Sequence, residues 1–231
     1  VTACPGSFRV YYYLCTMNRL HKGHYYIYDL ICQGEHQQQD FKFEISDARK
    51  IAKSLSAFSN TEGGRLLVGV KDNGKIAGVR SEEEIYMIEA AARLYSKPVI
   101  DCEMHTHEIE GRTVLEVIIP KGEQGPYYAK DEDNHYRAYI RIKDENILAS
   151  PVHLRLWQYK HARKGAFVRY SIHEQQLLDY LNTNGKITLS QYCKLSGLPR
   201  PRAINTLAKF IAFDLIEVVY SEKTFFFLSK P

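Results

Sequence analysis

The chain has 231 residues, of which 45% are hydrophobic, so it can bury either one large core or two small ones. A formal net charge of +4 is too small to distinguish a nucleic-acid binder from an ordinary enzyme. No apolar run approaches the ~20 residues of a membrane span. The five cysteines are scattered and lack a C-x-x-C pair, which argues against a disulfide framework or a zinc site. We therefore expect a cytoplasmic protein without a membrane partner.

Residues 1–16 show no clear pattern, and we expect them to be a leader or a non-native extension. The first strong helix pattern begins at Asp47, a favourable N-cap, and places apolar residues on one face at helical spacing. The pattern ends at a Gly-Gly turn. The apolar run 66–70 then predicts a buried strand, and 72–74 predicts a tight hairpin turn into another strand over 75–79.

Further elements of both types follow. Ser81 opens a capping box and predicts a second helix, after which 99–109 and 112–119 have the composition of strands. Residues 135–142 alternate in polarity and predict one more strand. A helix that begins at Ser150, with proline at its first position, is expected to complete this domain.

The first domain is thus expected to span residues 17–160, and a basic linker is expected over 161–170. Residues 171–231 contain three helix patterns, of which the second is expected to begin at a Ser190 N-cap and the third near Pro201. Two strand patterns close the chain. This order is typical of a helix-turn-helix with a β-hairpin wing. The overall fold class is α+β: a mixed sheet with helices, then a winged helix-turn-helix domain.

Several irregular motifs occur in order with sensible gaps: G-E at 34–35, D-F-K at 40–42, A-F-S-N-T-E-G-G at 57–64, L-L-V-G-V at 66–70, D-N-G at 72–74, P-Y-Y at 126–128 and Y-I-R at 139–141. Together they resemble the Schlafen-type AlbA-like DNA-binding family over about residues 34–159. The resemblance implies an AlbA-like mixed-sheet domain that binds nucleic acid. One departure is Asp40, which stands where the family usually has a glutamate and so shortens the carboxylate's reach.

The family was once described as divergent ATPases. This sequence has no G-x-x-x-x-G-K-[ST] loop, which would supply the backbone cradle, lysine and hydroxyl that a nucleotide and its metal require. We therefore expect no ATP and no other cofactor.

Three carboxylates, Glu35, Asp40 and Asp72, support an alternative hypothesis. Eukaryotic Schlafen relatives use acidic residues at the matching positions as a metal-dependent ribonuclease centre, so the resemblance implies that these side chains could hold Mg²⁺ or Mn²⁺ to activate water. The competing interpretation is structural: Glu35 caps or pairs at the surface, and Asp72 is a turn residue before Asn73-Gly74. Metal is expected only under the ribonuclease alternative.

Basic residues of the first domain are candidate phosphate contacts, which would give salt-sensitive binding without sequence preference. They are Lys42, Lys53, Arg65, Arg137 and Arg141. The alternative for Lys42, Lys53 and Arg65 is a surface group paired with a carboxylate such as Glu44 or Glu62. The alternative for Arg137 and Arg141 is that they are simply solvated. Asn60, Gly63 and Gly64 are expected to shape a turn that needs positive φ rather than to contact a ligand.

The third helix of the second domain presents polar residues away from its apolar face, and their side chains suit base readout in a major groove. They are Arg200, Arg202, Asn205, Thr206 and Lys209. From His161 onward the chain has ten basic and five acidic residues, which agrees with a polyanionic partner. The leading hypothesis is a homodimeric, DNA-binding transcriptional regulator, with RNA as a second candidate partner. The alternatives are a metal-dependent endoribonuclease and a non-catalytic protein-interaction module.

Overall fold

The computed structural model describes residues 22–123, 125–160 and 171–230. The predicted leader and the predicted basic linker lie outside these residues. The chain divides into two compact units, Val1–Ile147 and Leu148–Pro231. None of the helices in the described part combines the length and hydropathy of a membrane span.

The first unit alternates helices with strands. Its described helices are α1 (Lys22–Gln33), α2 (Ala48–Ser59) and α3 (Glu83–Arg93). Its strands are β1 (Gln39–Lys42), β2 (Gly64–Val68), β3 (Ser96–Lys97), β4 (Glu103–Ile109), β5 (Arg112–Ile119), β6 (Tyr128–Lys130), β7 (Tyr136–Ile142) and β8 (Glu145–Leu148), which ends at the boundary between the units.

The strands form two four-stranded sheets. The first has the order β1-β2-β5-β4, with β1 parallel to β2 and the other neighbours antiparallel, so it is a mixed sheet as predicted. The second has the order β3-β6-β7-β8, in which β6 is antiparallel to β3 and β7. Helix α2 contacts β6 and β7, and it also contacts β2 and β5. It therefore packs between the two sheets.

Both faces of β2 are covered over Leu66–Val68, which explains why these three residues are consecutive apolar residues rather than an alternating pattern. Leu66 and Val68 lie in a core with α2 and α3. Leu67, between them, points to the opposite face and packs with Ile27 and Ile31 of α1. Alternate side chains of this single strand thus pack into two different cores.

The helix predicted after Asp47 is confirmed, and the Asp47 carboxylate accepts the Arg49 N–H at 2.8 Å as an N-cap. The hairpin predicted around 72–74 is only partly formed. Its turn exists, but residues 75–79 make one isolated bridge, between Val70 and Ile76, instead of a strand. The backbone of Gly69 instead accepts from Ala77 and Gly78, which curls this segment back over the end of β2.

The second unit contains four described helices and a small sheet. The helices are α4 (Pro151–Lys160), α5 (Ile172–Asn184), α6 (Leu189–Ser196) and α7 (Arg200–Ala212), and the strands are β9 (Lys186–Thr188), β10 (Ile216–Ser221) and β11 (Thr224–Ser229). The strands pair antiparallel in the order β10-β11-β9. Three helices followed by a hairpin are therefore present in the predicted order. The N-cap of α6 is Thr188 and not Ser190, because Thr188 and Gln191 form a capping box.

Helix α4 packs in the second unit, although the sequence pattern assigned it to the end of the first. Its residues Val152 and Leu156 are buried in the same core as Leu207 and Ala208 of α7. The prediction was wrong because a capped amphipathic helix shows only that it has an apolar face, and not which core covers that face.

Candidate nucleic-acid interface

The family-like motifs of the first unit converge on a buried ion cluster. Asp40 is only 4% exposed, and one of its carboxylate oxygens lies 2.7 Å from Lys42 Nζ while the other lies 3.3 Å from Arg141 Nη2. Lys42 Nζ also donates to the Phe41 carbonyl. The Lys42 ammonium therefore neutralises a neighbouring charge, and its predicted role as a phosphate contact has no support in this geometry.

Arg141 is the centre of this cluster and is 2% exposed. Its guanidinium donates to Asn146 Oδ1 at 3.0 Å and to the Gln39 carbonyl at 3.2 Å, and it lies over the Phe58 ring at 4.9 Å. The predicted phosphate contact at Arg141 is thus wrong, because a polyanion cannot reach a guanidinium enclosed on all these sides. Arg141 instead ties β7 to β1.

The three acidic residues of the ribonuclease hypothesis do not form one group. Glu35 lies beside Asp40, and its Oε1 accepts the Phe41 N–H at 2.9 Å. Burial, reinforced by a hydrogen bond with the Asp40 carboxyl group, raises the pKa of Glu35. Asp72 is exposed in the turn beyond the end of β2, whereas Asp40 is in register with Leu66 inside that strand pair.

A three-ligand centre would require the side-chain oxygens of these residues to converge. Within the described ranges, the group that brings three such ligands within 4.8 Å of one another is a different one: Asp131, Asp133 and His135. There the Asp131 carboxylate already accepts the His135 N–H and pairs with Arg137 Nε, each at 2.8 Å. Glu35, Asp40 and Asp72 therefore do not fit a shared metal ion, and we derive no catalytic step from them.

Two other predicted phosphate contacts of the first unit, Arg137 and Lys53, do not join a basic surface. Arg137 is exposed, and its pairing with Asp131 partly neutralises it. Lys53 is half-buried on α2. Neither residue contributes to a continuous basic surface with Lys42 or Arg141, because those two side chains face the ion cluster.

The residues predicted to shape a turn do so. The Asn60 side chain donates to the carbonyls of Tyr127 and Tyr139 and accepts the Tyr127 N–H, at 2.7 to 2.9 Å, which joins the end of α2 to the second sheet. Gly63 has φ of +72°, and a Cβ on Gly64 would lie 2.5 Å from the Phe58 ring. Asn60 itself has φ of −80°, so only the glycines need the backbone freedom that was expected of all three.

A second polar network surrounds Arg65, and it was not predicted from the sequence. Glu116 of β5 is 2% exposed and contacts Arg65 Nη1 at 3.2 Å, Tyr26 Oη at 2.7 Å and His107 Nε2 at 3.0 Å. The signal was present as one charged residue inside the apolar strand 114–119. Because Arg65 compensates this buried carboxylate, its predicted phosphate contact would compete with an existing ion pair.

The exposed cations of the second unit lie at the start of α7. Arg200 and Arg202 are both exposed, as predicted. Lys209 is half-buried two turns further along the helix. Neither arginine forms an ion pair with a carboxylate in the part of the chain that the structure describes. Their charges remain available to a polyanion.

Two other predicted contacts on α7 are already engaged. Thr206 is only 7% exposed, so a base edge cannot reach it and the prediction that it reads bases is wrong. The burial of Thr206 follows from helical geometry, since it packs with the same face of α7 as Ala203 and Phe210. The Asn205 side chain accepts from Arg155 Nε at 2.8 Å and from the Tyr159 hydroxyl. Arg155, on α4, was not among the predicted residues.

Comparisons with known proteins bear on the first unit. Residues 35–150, half of the chain, match the family model described as Schlafen, AlbA_2. No curated protein matches the chain significantly. Among solved structures, the chain is similar to the DIP2311 protein from Corynebacterium diphtheriae, with a TM-score of 0.42 and 17% identity. That match covers 64% of this chain and 35% of DIP2311.

A second similar structure is the N-terminal domain of a RecG-related protein from Nitrosomonas europaea. Its TM-score is 0.35 and its identity 16%, over 62% of this chain and 95% of that domain. The chain thus spans about a third of the length of DIP2311 and nearly all of the RecG-related domain.

Proposed function

We propose that this chain, which belongs to the Schlafen, AlbA_2 family, binds nucleic acid through its second unit, with duplex DNA as the partner. The observation that carries the proposal is the exposed pair Arg200 and Arg202 at the N-terminal end of α7. This helix is the second of a helix-turn-helix pair, and in such pairs the second helix enters the major groove with its N-terminal residues against the bases.

The turn before α7 supports this orientation. Helix α6 ends at Gly197, which has φ of +65° and lets the chain reverse in three residues before Arg200. Pro201 is exposed in the first turn, where proline stiffens the helix start without losing a hydrogen bond. The backbone that carries the two arginines is therefore ordered before binding, so the helix end loses little conformational freedom on binding.

The first unit contributes less direct charge than its sequence suggested, since Lys42, Arg65, Arg137 and Arg141 are each paired with carboxylates. We infer that its ion clusters maintain the fold while the second unit makes the principal contacts with the polyanion. A role in transcriptional regulation as a homodimer is consistent with a helix-turn-helix, because dimers of such domains read paired half-sites.

The proposal is tested by measuring the affinity of the full chain for a mixed-sequence DNA duplex, alongside a structured RNA of equal length. The double variant Arg200→Ala/Arg202→Ala should bind duplex roughly tenfold to a hundredfold more weakly than the wild type, because two charge-assisted contacts are lost. A matched control, Lys50→Ala/Arg93→Ala, removes two exposed charges from the first unit and should stay within about threefold of the wild type.

Equal losses in both double variants would mean that binding reflects net charge alone and would contradict the role of α7. If the chain binds the RNA more tightly than the DNA duplex, RNA rather than DNA is the partner. If neither nucleic acid binds at low salt, the protein-interaction hypothesis gains instead.

A further inference from the structure

The side chain of Asn205 is committed to helix α4. Its Oδ1 accepts a hydrogen bond from Arg155 Nε at 2.8 Å and another from the Tyr159 hydroxyl. An asparagine that recognises adenine must offer both its carbonyl and its amide to the base edge. Because two donors already occupy the Asn205 carbonyl, direct base readout by this residue would require both bonds to break.

Arg155 is exposed but held on three sides. Besides the bond to Asn205, its Nη1 donates to Gln158 Oε1 at 2.7 Å, and its guanidinium lies over the Tyr159 ring with 4.9 Å between the charge centre and the ring centroid. All its contacts in the described part of the chain are neutral, and none is an ion pair. The side chain therefore keeps a full positive charge in a fixed orientation.

The position of this charge follows from helical spacing. Asn205 lies three residues after Arg202 and four before Lys209, so the three side chains are neighbours along one stripe of α7. A guanidinium bonded to Asn205 is thus placed beside the stripe that carries Arg202. The core packing of Val152 and Leu156 against α7 fixes α4 in this position.

We propose that Arg155 is a phosphate-contacting residue of the nucleic-acid interface and that Asn205 is a positioning residue for it. This inference rests on the proposed function and extends the contact surface from α7 to α4. Arginine suits the role because its guanidinium has several N–H groups. Two of its nitrogens, Nε and Nη1, donate to Asn205 and Gln158, and the remaining N–H groups can donate to a phosphate oxygen. Prior ordering of the side chain lowers the entropy lost on binding.

The test measures duplex affinity of the full chain over a series of salt concentrations for Arg155→Ala, Asn205→Ala and the double variant. Arg155→Ala should raise Kd roughly threefold to tenfold and reduce the slope of log K against log salt by about one, as expected for one lost phosphate contact. Arg155→Lys keeps the charge but loses the fork, and its Kd should lie between those of the wild type and Arg155→Ala.

A positioning role makes a further prediction for Asn205. Asn205→Ala should weaken binding equally for duplexes of different sequence, and the double variant should bind within about twofold of Arg155→Ala, because the two residues act as one unit. Arg93→Ala is the matched control for loss of one exposed arginine. Trp157 fluorescence verifies that α4 remains packed in each variant.

The outcomes separate the inference from the proposed function. If the wild type binds duplex and Arg200→Ala/Arg202→Ala weakens it, but Arg155→Ala binds like the wild type, the inference is overturned and the proposed function stands. The positioning role would be overturned if the loss of affinity in the double variant equalled the product of the losses in the two single variants. A change of sequence preference in Asn205→Ala would also overturn it. Absence of duplex binding by the wild type would overturn both.

Discussion

Residue identity alone does not tell a structural arginine from a binding one, as Arg137 and Arg141 demonstrate. Both lie on β7 and share the spacing of one sheet face, yet the first is exposed and the second is buried against Phe58 and Asp40. The sequence predicted the strand correctly. It could not predict the difference in burial, because that depends on β1 and α2, which are distant in sequence.

Loss of Arg141 should therefore affect folding rather than binding. In Arg141→Ala the Asp40 carboxylate stays buried and loses one of its two cationic partners, so the free energy of unfolding should fall by roughly 3–5 kcal/mol. Arg137→Ala, which breaks an ion pair of an exposed arginine, should cost at most about 1 kcal/mol. Chemical unfolding followed by circular dichroism compares the two. Similar losses in both variants would show that the cluster is not what stabilises this region.

At the scale of elements, capping and periodicity predicted most helices and strands, including the order of α5, α6, α7 and the closing hairpin. These signals are local, and local signals survive in a single sequence. The prediction assigned α4 to the wrong unit because the packing of this helix depends on contacts that are distant in sequence. Its partners on α7 lie some fifty residues further along the chain, and no local pattern encodes such a contact.

The packing of α4 should depend on pH through His153. This ring lies 4.9 Å from the Phe225 ring, and its Nδ1 is 2.7 Å from Ser150 Oγ. Burial lowers the pKa of His153 from 6.5 to about 4. Between pH 6.5 and 4 the His153 ring binds a proton more readily in the unfolded state than in the folded state. The stability that the neutral, buried ring gives the folded state is therefore complete above pH 6.5 and is lost as the pH falls towards 4.

The expected loss over that range is about 3 kcal/mol in the unfolding of the second unit. Trp157 is the only tryptophan in the sequence and its ring lies near His153, so its fluorescence reports this transition selectively. His153→Gln removes the titrating group and should flatten the dependence, although its stability at neutral pH also decreases. A variant whose stability falls with pH as steeply as the wild type would show that other groups control the transition.

At the scale of the whole molecule, the chain divides its charge between two tasks. In the first unit, basic residues of the sequence motifs form ion pairs with the buried carboxylates of Asp40 and Glu116. In the second unit Arg200, Arg202 and Arg155 remain exposed and unpaired with carboxylates within the described ranges. The family could be recognised from sequence because its motifs are irregular and ordered. The sequence could not show which of the cations face solvent, because the carboxylates that pair with them come from separate strands.

The most direct test of this account is the salt dependence of duplex binding by the wild type and by Arg200→Ala/Arg202→Ala. For the wild type, log K should fall linearly with log salt at a slope of about −0.9 for each phosphate neutralised. The account predicts that the double variant loses affinity and that its slope is shallower by about two. An identical slope in both proteins would show that these arginines contact no phosphate and would contradict the central claim.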